Sequence, residues 1–434
     1  MTEFFDVVIV GARCTGSPLA VLLAKRGLRV CVVDRARFPS ETPSTHVIQP
    51  CGADLLDRIG VLDAALAAGG VPIDRFILVN DDVRVDGSFE AALFKRPGLC
   101  VRRVTLDALL VNAAVAAGVD VRTGTKVTDV VTIADRVVGV ETDKGNIRAH
   151  LVVGADGRHS TIAATVGAQE YSAVPGGRTP AWAYFEGVSD RSGRLLLGRL
   201  GENAYLASAT DAGLFMVCVT SGVGFRGQDR NAEFDSAVDD WPELANLLCG
   251  ARRVGPVRVM RNWHGYFREA SGSGWVLLGD AGHFKDFTLA QGISDALRQG
   301  ERLAEMLPGD LSDHQTVDGA TRDWWRWRDA DAYPMFWFAT DMGAPGPPTP
   351  VVTEVLRHVA ADPRSTLTLL RVLDHEVGPK SLLTPRRLAV ATTRALCKRP
   401  VLTTEEIATT LVNEIRRARW SRRTRRALNG RGYP

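Results

Sequence analysis

Three short segments, far apart but in a fixed order, carry residue types that hold a nucleotide. They are Val8-Ile9-Val10-Gly11-Ala12-Arg13-Cys14-Thr15-Gly16, Val153-Gly154-Ala155-Asp156-Gly157 and Leu277-Leu278-Gly279-Asp280-Ala281-Gly282. Each ends an apolar run in a small or acidic residue, as a parallel strand does where its carboxyl end meets a ligand. In the first, Gly11 suits a tight turn and Gly16 lets the next helix pack close to the strand. That helix N-terminus offers free N–H groups and partial positive charge to a pyrophosphate. Asp34 ends the next apolar run, where an acid accepts hydrogen bonds from the adenosine ribose hydroxyls. In this order the segments read as one bound FAD.

Arg13 stands where the middle glycine of such a loop belongs. Its side chain either points to solvent or folds back so that the guanidinium pairs with phosphate or ribose. After Asp156-Gly157, Ser160 and Thr161 are candidate helix caps. Gly279-Asp280 supplies a third acid at a strand end, read as a partner for a hydroxyl of the ribityl-phosphate part. Gly292 and Ile293 open a helix whose N-terminus, aimed at the flavin pyrimidine ring, stabilises negative charge there on reduction. His46 is spaced to approach the flavin edge as a proton donor or substrate contact; a cofactor hydrogen bond and a plain loop histidine are the alternatives. His283 reads as loop architecture. Trp182, Tyr184, Phe215, Trp263 and Phe267 outline either an aromatic pocket or ordinary strand core. His264, His314, His358 and His375 lack metal-ligand spacing, and no metal is expected.

These residues need a frame. A strand over 6–10, a helix over 17–26 and a strand over 28–34 form a βαβ unit. A helix over 104–117 and four strands over 119–122, 127–133, 137–142 and 147–154 lead into the middle segment. Alternating apolar and polar residues over 76–95 and 179–261 predict strands that pair in one sheet. The Pro/Gly run 344–350 predicts a loop, and 351–428 reads as helices. The expected fold is α/β: a Rossmann-like FAD-binding domain with a parallel sheet, an inserted mixed or antiparallel substrate domain, and a C-terminal helical extension. The expected boundaries assign 1–74, 100–175 and 271–343 to FAD binding, 75–99 and 176–270 to the substrate domain, and 344–434 to the helical region with its basic tail.

At 434 residues and 45% hydrophobic content, the chain can bury a large core. Neither a signal peptide nor a membrane span is evident. Seven dispersed cysteines without a CxxC pair argue against a disulfide framework or zinc site and place the chain in a reducing cytoplasm. The net charge of +3 conceals eight arginines after Glu414, with no acid among them. Such a tail can bind nucleic acid or an acidic membrane surface. Without an aromatic stacking series, a solvated or partner-facing helix is the favoured reading and nucleic acid is not an expected partner.

Together with Arg103-Val104-Thr105-Leu106-Asp107, the three segments resemble the group A flavoprotein monooxygenases of the p-hydroxybenzoate hydroxylase type. Their relatives, the geranylgeranyl reductases and flavin halogenases, share the resemblance, which covers residues 5–340 in motif order. It implies that Gly11, Gly16 and Asp34 bind the ADP part of FAD and that Arg103 contacts the cofactor. It also implies that Asp156 and Gly157 serve FAD and nicotinamide positioning, and that Gly279 and Asp280 hold the ribityl-phosphate portion. Departures are Arg13, Ala163 in place of an arginine, and Phe287 and Leu289 in place of proline and glycine. Trp324-Trp325-Arg326-Trp327 lies after the third segment, whereas the halogenases carry a WxWxIP pattern before it. The implied activity is NAD(P)H-dependent insertion of oxygen into a hydrophobic small molecule through a C4a-hydroperoxyflavin. Alternatives are a flavin reductase of an alkene and a flavoprotein that binds partners through its arginine tail.

Overall fold

The computed structural model describes residues 3–222, 224, 225, 227 and 229–429, with side chains through 418. Phe4–Val10 is apolar and buried because parallel strands flank it on both sides, Val30–Asp34 and Gly145–Gly154. The sheet runs Ser271–Gly272, Trp275–Leu277, Gly145–Gly154, Phe4–Val10, Val30–Asp34, Asp120–Thr123, with Val127–Ile133 and Arg136–Thr142 branching from Gly145–Gly154. Register decides where the chemistry falls. Val10 lies opposite both Val33 and Gly154, and Gly154 lies opposite Leu277. Gly11, Asp34, Ala155 and Leu278 therefore leave adjacent strands at the same edge, the crevice where open α/β sheets bind ligands. Helices Gly16–Lys25, Arg103–Ala116 and Gly292–Met306 share a buried core with one face of this sheet. Ile162 and Ala163, with hairpin residues Val127, Val137 and Val140, belong to the core on the other face.

A second sheet runs Arg252–Val259, Thr179–Glu186, Phe215–Ser221, Asn203–Ala209, Arg194–Leu200, Arg75–Asn80, Val83–Ser88. It is antiparallel except where Arg194–Leu200 pairs in parallel with Arg75–Asn80, so two distant stretches make one mixed sheet. Its side chains alternate with the pleat. Ala181, Ala183 and Phe185 face a core with Phe234, Trp241 and Leu244 from Arg230–Asp239 and its neighbours. Trp182 lies in another core with Val355, Leu356, Leu369 and Leu370 from helices Pro350–Ala361 and Pro363–Leu373. The C-terminal helices thus cover the second face of this sheet.

The Pro/Gly run is a loop between helices His314–Met342 and Pro350–Ala361, and buried arginines collect its carbonyls. Arg178 donates to Gly346 O at 2.8 Å and Arg199 to Ala344 O at 3.2 Å. In the last helix, Pro400–Asn429, Arg417 pairs with Asp341 and Glu414 and lies 4.4 Å from the Trp337 ring centre. Arg431, and the side chains of Arg419, Arg422, Arg423, Arg425 and Arg426, lie outside the described residues. No described helix is long and apolar enough to cross a membrane.

Candidate FAD and substrate site

The strand ends open into a cavity of about 520 Å³ lined by all three sequence segments. At one end, close packing fixes the turn after the first strand. Gly11 has φ 106°, and a Cβ there would stand 2.3 Å from Ala155 O. A Cβ on Gly16 would stand 1.9 Å from Gly11 O, so the helix starts against the turn it follows. Asp34 Oδ2 accepts the Ala12 N–H at 2.8 Å and Oδ1 accepts the Ala36 N–H at 2.7 Å. The carboxylate is thereby held from two sides while still lining the cavity.

Arg13 lines the cavity but commits its guanidinium to protein partners. It donates to Asp107 Oδ2 at 3.0 Å, to Ser40 Oγ at 2.6 Å and to Thr42. Arg103 takes both oxygens of the same carboxylate, at 2.9 and 3.0 Å. One buried acid therefore balances two cations, leaving this three-residue cluster with one excess positive charge. Glu41, Thr42 and Pro43 also line the cavity, and Glu41 pairs with Arg258 of the second sheet. The loop crossing this wall is tied at both ends.

His46 is buried with φ 63°. Its Nδ1 accepts the Arg103 N–H at 3.2 Å, so Nε2 carries the proton toward Tyr184 Oη. Burial, with Arg103 beside it, brings the imidazole down to about 3. The ring is neutral and stands behind the wall made by Ser44, Thr45 and Val47.

Asp156 caps the helix Thr161–Thr165, accepting from Thr161 N at 2.6 Å and Ser160 Oγ at 2.5 Å. Ser160 Oγ accepts the Ala163 N–H at 2.9 Å. Burial raises the Asp156 carboxyl against these hydrogen bonds. Gly157, at φ 81°, also lines the cavity. Gly279 and Asp280 sit in a single 3₁₀ turn, with the Gly279 N–H held by Gln299 Oε1 at 3.2 Å. Burial pushes Asp280 up to about 6, although Arg103 and Arg158 oppose it, and no described residue donates a hydrogen bond to its carboxylate. Helix Gly292–Met306 points its N-terminus into the same space: Gly292 and Ile293 line it, and nothing lies within 4 Å of a Cβ built on Gly292.

The turn before that helix forms without the proline and glycine of the hydroxylase pattern. Asp286 accepts from Thr288 N at 2.9 Å and Thr288 Oγ1 at 2.5 Å, while Ala290 adopts φ 51°. Phe287 instead packs on Trp263, with ring centres 4.9 Å apart. Of the five aromatics singled out on the strands, only Trp182 lines the cavity. Tyr184 stacks on His46, Phe215 joins the core beneath Phe234, Phe267 packs with Phe336, and Trp263 backs Phe287.

The donor set fits a dinucleotide with a polar tail. A turn too tight for a Cβ, a helix start, an arginine pair sharing one acid, a carboxylate without a protein donor and a second helix start all border one cavity. The sequence profile of the FAD binding domain family matches residues 5–317. The chain belongs to that family. FAD is its cofactor and it is a FAD-dependent oxidoreductase. The 6-methylpretetramide 4-monooxygenase of Streptomyces rimosus is 28% identical over 316 residues, covering 68% of this chain and 72% of that one. The menaquinone reductase of Mycolicibacterium smegmatis is 27% identical over 337 residues, covering 72% and 78%. The solved structure of the flavin-dependent brominase Bmp2 has a TM-score of 0.72 at 18% identity, covering 90% of this chain and 98% of that one.

In this FAD-binding domain protein, sequence reasoning gave no role to Asp107, Lys285, Gln291 or Asp295, although Asp107 closes the Arg103-Val104-Thr105-Leu106-Asp107 motif. Asp107 had a signal: it lies four residues after Arg103, the spacing of neighbours on one helix face. Lys285 had none: Gln291 and Asp295 follow it by only six and ten residues, but the turns between them and the brace from Leu373 and His375 are set by tertiary folding.

Proposed function

We propose that the protein is an NAD(P)H-dependent monooxygenase acting on a hydrophobic small molecule, aromatic or polyketide-like in character. The observation carrying this reading is the mixed lining of the cavity. Besides the three acidic and glycine-bearing segments, the wall includes Val47, Pro180, Trp182, Cys218, Met260 and Phe287. An apolar lining in the cofactor cavity suits an apolar substrate and excludes water from the reacting atoms.

In this reading Gly11, Gly16 and the start of helix Gly16–Lys25 meet the pyrophosphate, with Arg13 and Arg103 supplying positive charge. Asp34 accepts from the adenosine ribose and Asp280 from the ribityl chain. Asp156 and Gly157 border the space where nicotinamide approaches. The N–H groups of Gly292 and Ile293 face the flavin pyrimidine ring. Bound FAD supplies acceptance of hydride from NAD(P)H and activation of oxygen; the chain supplies placement, dryness and charge. His46, neutral and behind the wall, orients Tyr184 and the Arg103 backbone and is assigned no proton transfer.

The test is transfer of label from isotopic oxygen gas into an apolar aromatic acceptor during NAD(P)H oxidation by the purified yellow protein. Labelled product with peroxide release when acceptor is absent supports the reading; NAD(P)H oxidation that never needs oxygen removes it. A second reading, saturation of an alkene, is favoured by the similarity to a menaquinone reductase. Under that reading the anaerobic reduced protein consumes a prenyl alkene.

A further inference from the structure

Lys285 is a buried ammonium with two acceptors for three protons. It follows the short strand His283–Phe284, and its side chain is 4% exposed. Nζ lies 2.7 Å from Asp295 Oδ2 and 2.8 Å from Gln291 Oε1. An ammonium has three N–H donors. The third has no acceptor among the described residues, and Lys285 lines the cavity together with Gly292 and Ile293. A buried donor without a partner is costly, and more so when charged.

The group is held from the far end of the chain. His375 Nε2 stands 3.0 Å from the other oxygen of Asp295. Gln291 Nε2 donates to Leu373 O at 2.7 Å, and the Cys51 N–H donates to Asp374 Oδ1 at 2.6 Å. Leu373, the last residue of the helical region's second helix, and the two residues after it therefore contact both acceptors of Lys285 and the start of helix Pro50–Arg58. His375 makes this reach at φ 61°. Although burial opposes it, Lys285 and His375 drive the Asp295 carboxyl well below the usual range. One oxygen takes the Lys285 ammonium and the other lies 3.0 Å from His375 Nε2, and Lys285 and Asp295 both line the cavity.

We propose that Lys285 donates a hydrogen bond from its third N–H to the pyrimidine edge of bound FAD, keeping its proton and charge, and favours the reduced flavin, with His375 a positioning residue acting through Asp295. This rests on FAD lying with that edge at the start of helix Gly292–Met306. A fixed cation there attracts the negative charge that reduction places on the ring, and a charge-assisted hydrogen bond strengthens as that charge develops.

The experiment is the midpoint potential of FAD bound to the full-length protein, together with separate dissociation constants for oxidised and reduced FAD. Lys285→Met should lower the reduced-to-oxidised ratio at a given potential by about tenfold, equivalent to ~30 mV for a two-electron couple. Lys285→Arg, which keeps the charge, should stay near the parent. Lys285→Gln, which keeps donors without charge, should fall with Lys285→Met and serves if the methionine variant does not fold. His375→Ala should shift the potential in the same direction by less. A purely structural His375 would instead weaken both oxidation states equally and leave the potential unchanged. Parent-like potentials in the methionine and glutamine variants, or equal loss of affinity for oxidised and reduced FAD, overturn the proposal. A parent protein that binds no FAD overturns the placement of the cofactor instead, and the titration preceding the potential measurement separates the two failures.

Discussion

The two ends of the cavity are built by different means. Around Gly11, Gly16 and Asp34 the walls are main chain, or a carboxylate held by main-chain N–H groups, and neighbours in space follow from strand register. Around Lys285 the walls are ionised side chains brought together from residues 285, 295 and 375. The first kind of wall tolerates almost no added atoms; the second tolerates changes of shape but not of charge. Substitutions at the first end should therefore abolish cofactor binding, and those at the second should alter the chemistry of a cofactor still bound.

Gly16→Ala is the sharpest way to break that contrast. Its Cβ would stand 1.9 Å from Gly11 O, a backbone atom that cannot swing aside. Overpacking of this kind costs about 1–3 kcal/mol, and here it displaces the turn itself. The expected outcome is colourless protein that takes up no FAD in a fluorescence titration; yellow protein of parental affinity would show that the turn adapts. Asp34→Ala comes next. It removes an acceptor for a ribose and leaves the Ala12 and Ala36 N–H groups without their partner. Calorimetry should show FAD binding weakened by roughly 1.5–3 kcal/mol for each charged hydrogen bond lost.

Asp280 lies between the two regimes, a strand-end acid whose charge is adjustable. Burial raises its carboxyl to about 6 in the free protein, whereas hydroxyl donors on the ligand favour the ionised form. Binding then releases a proton, so FAD affinity should rise with pH up to about 6, by at most about tenfold per unit, and level off above it. In Asp280→Asn the profile over this range should be flat. Because the folded value is raised, the protonated acid adds to apo-protein stability below the ordinary carboxylate range, and this contribution is lost as pH rises through about 6. The smallest effect is expected farthest from the cavity. Arg417→Ala removes a half-buried pairing with Asp341 and the contact with the Trp337 ring, and should cost about 1–2 kcal/mol in thermal unfolding while leaving flavin content unchanged.

The same contrast explains what could be read from the sequence. The strand–turn–helix around Gly11 and the cap at Ser160 are local, so spacing alone places their residues. The mixed sheet was legible as alternation, but its parallel pairing of Arg75–Asn80 with Arg194–Leu200 depends on tertiary topology. His46 was placed near the flavin by its distance from Asp34. A positive φ and the Tyr184 hydroxyl then turn its ring behind the wall, and spacing carries no information about either. Of the aromatics expected on the second sheet, Trp182, Tyr184 and Phe215 lie on its strands, whereas Phe267 belongs to His264–Arg268 of a separate three-stranded sheet and Trp263 to the loop before it. Facing stayed ambiguous because an alternating strand offers a large ring to either layer. His375 gave no signal of contact with the site: its partner is 80 residues away in sequence, and it is reached only after two helices have folded back.

That long reach of His375 bears on the order in which the site is completed during synthesis. Chains grow from the N-terminus and domains tend to fold as they emerge. The turn and acid of the nucleotide end come from the first strands, although the core behind them is completed by Leu278, Ile293, Leu297 and Trp324. The end around Lys285 lacks its brace until the ribosome has passed the turn at Leu373-Asp374-His375 and released it. The Lys285 end of the cavity is therefore the last part of the site to be completed as the chain is made, because its brace is the turn at Leu373-Asp374-His375.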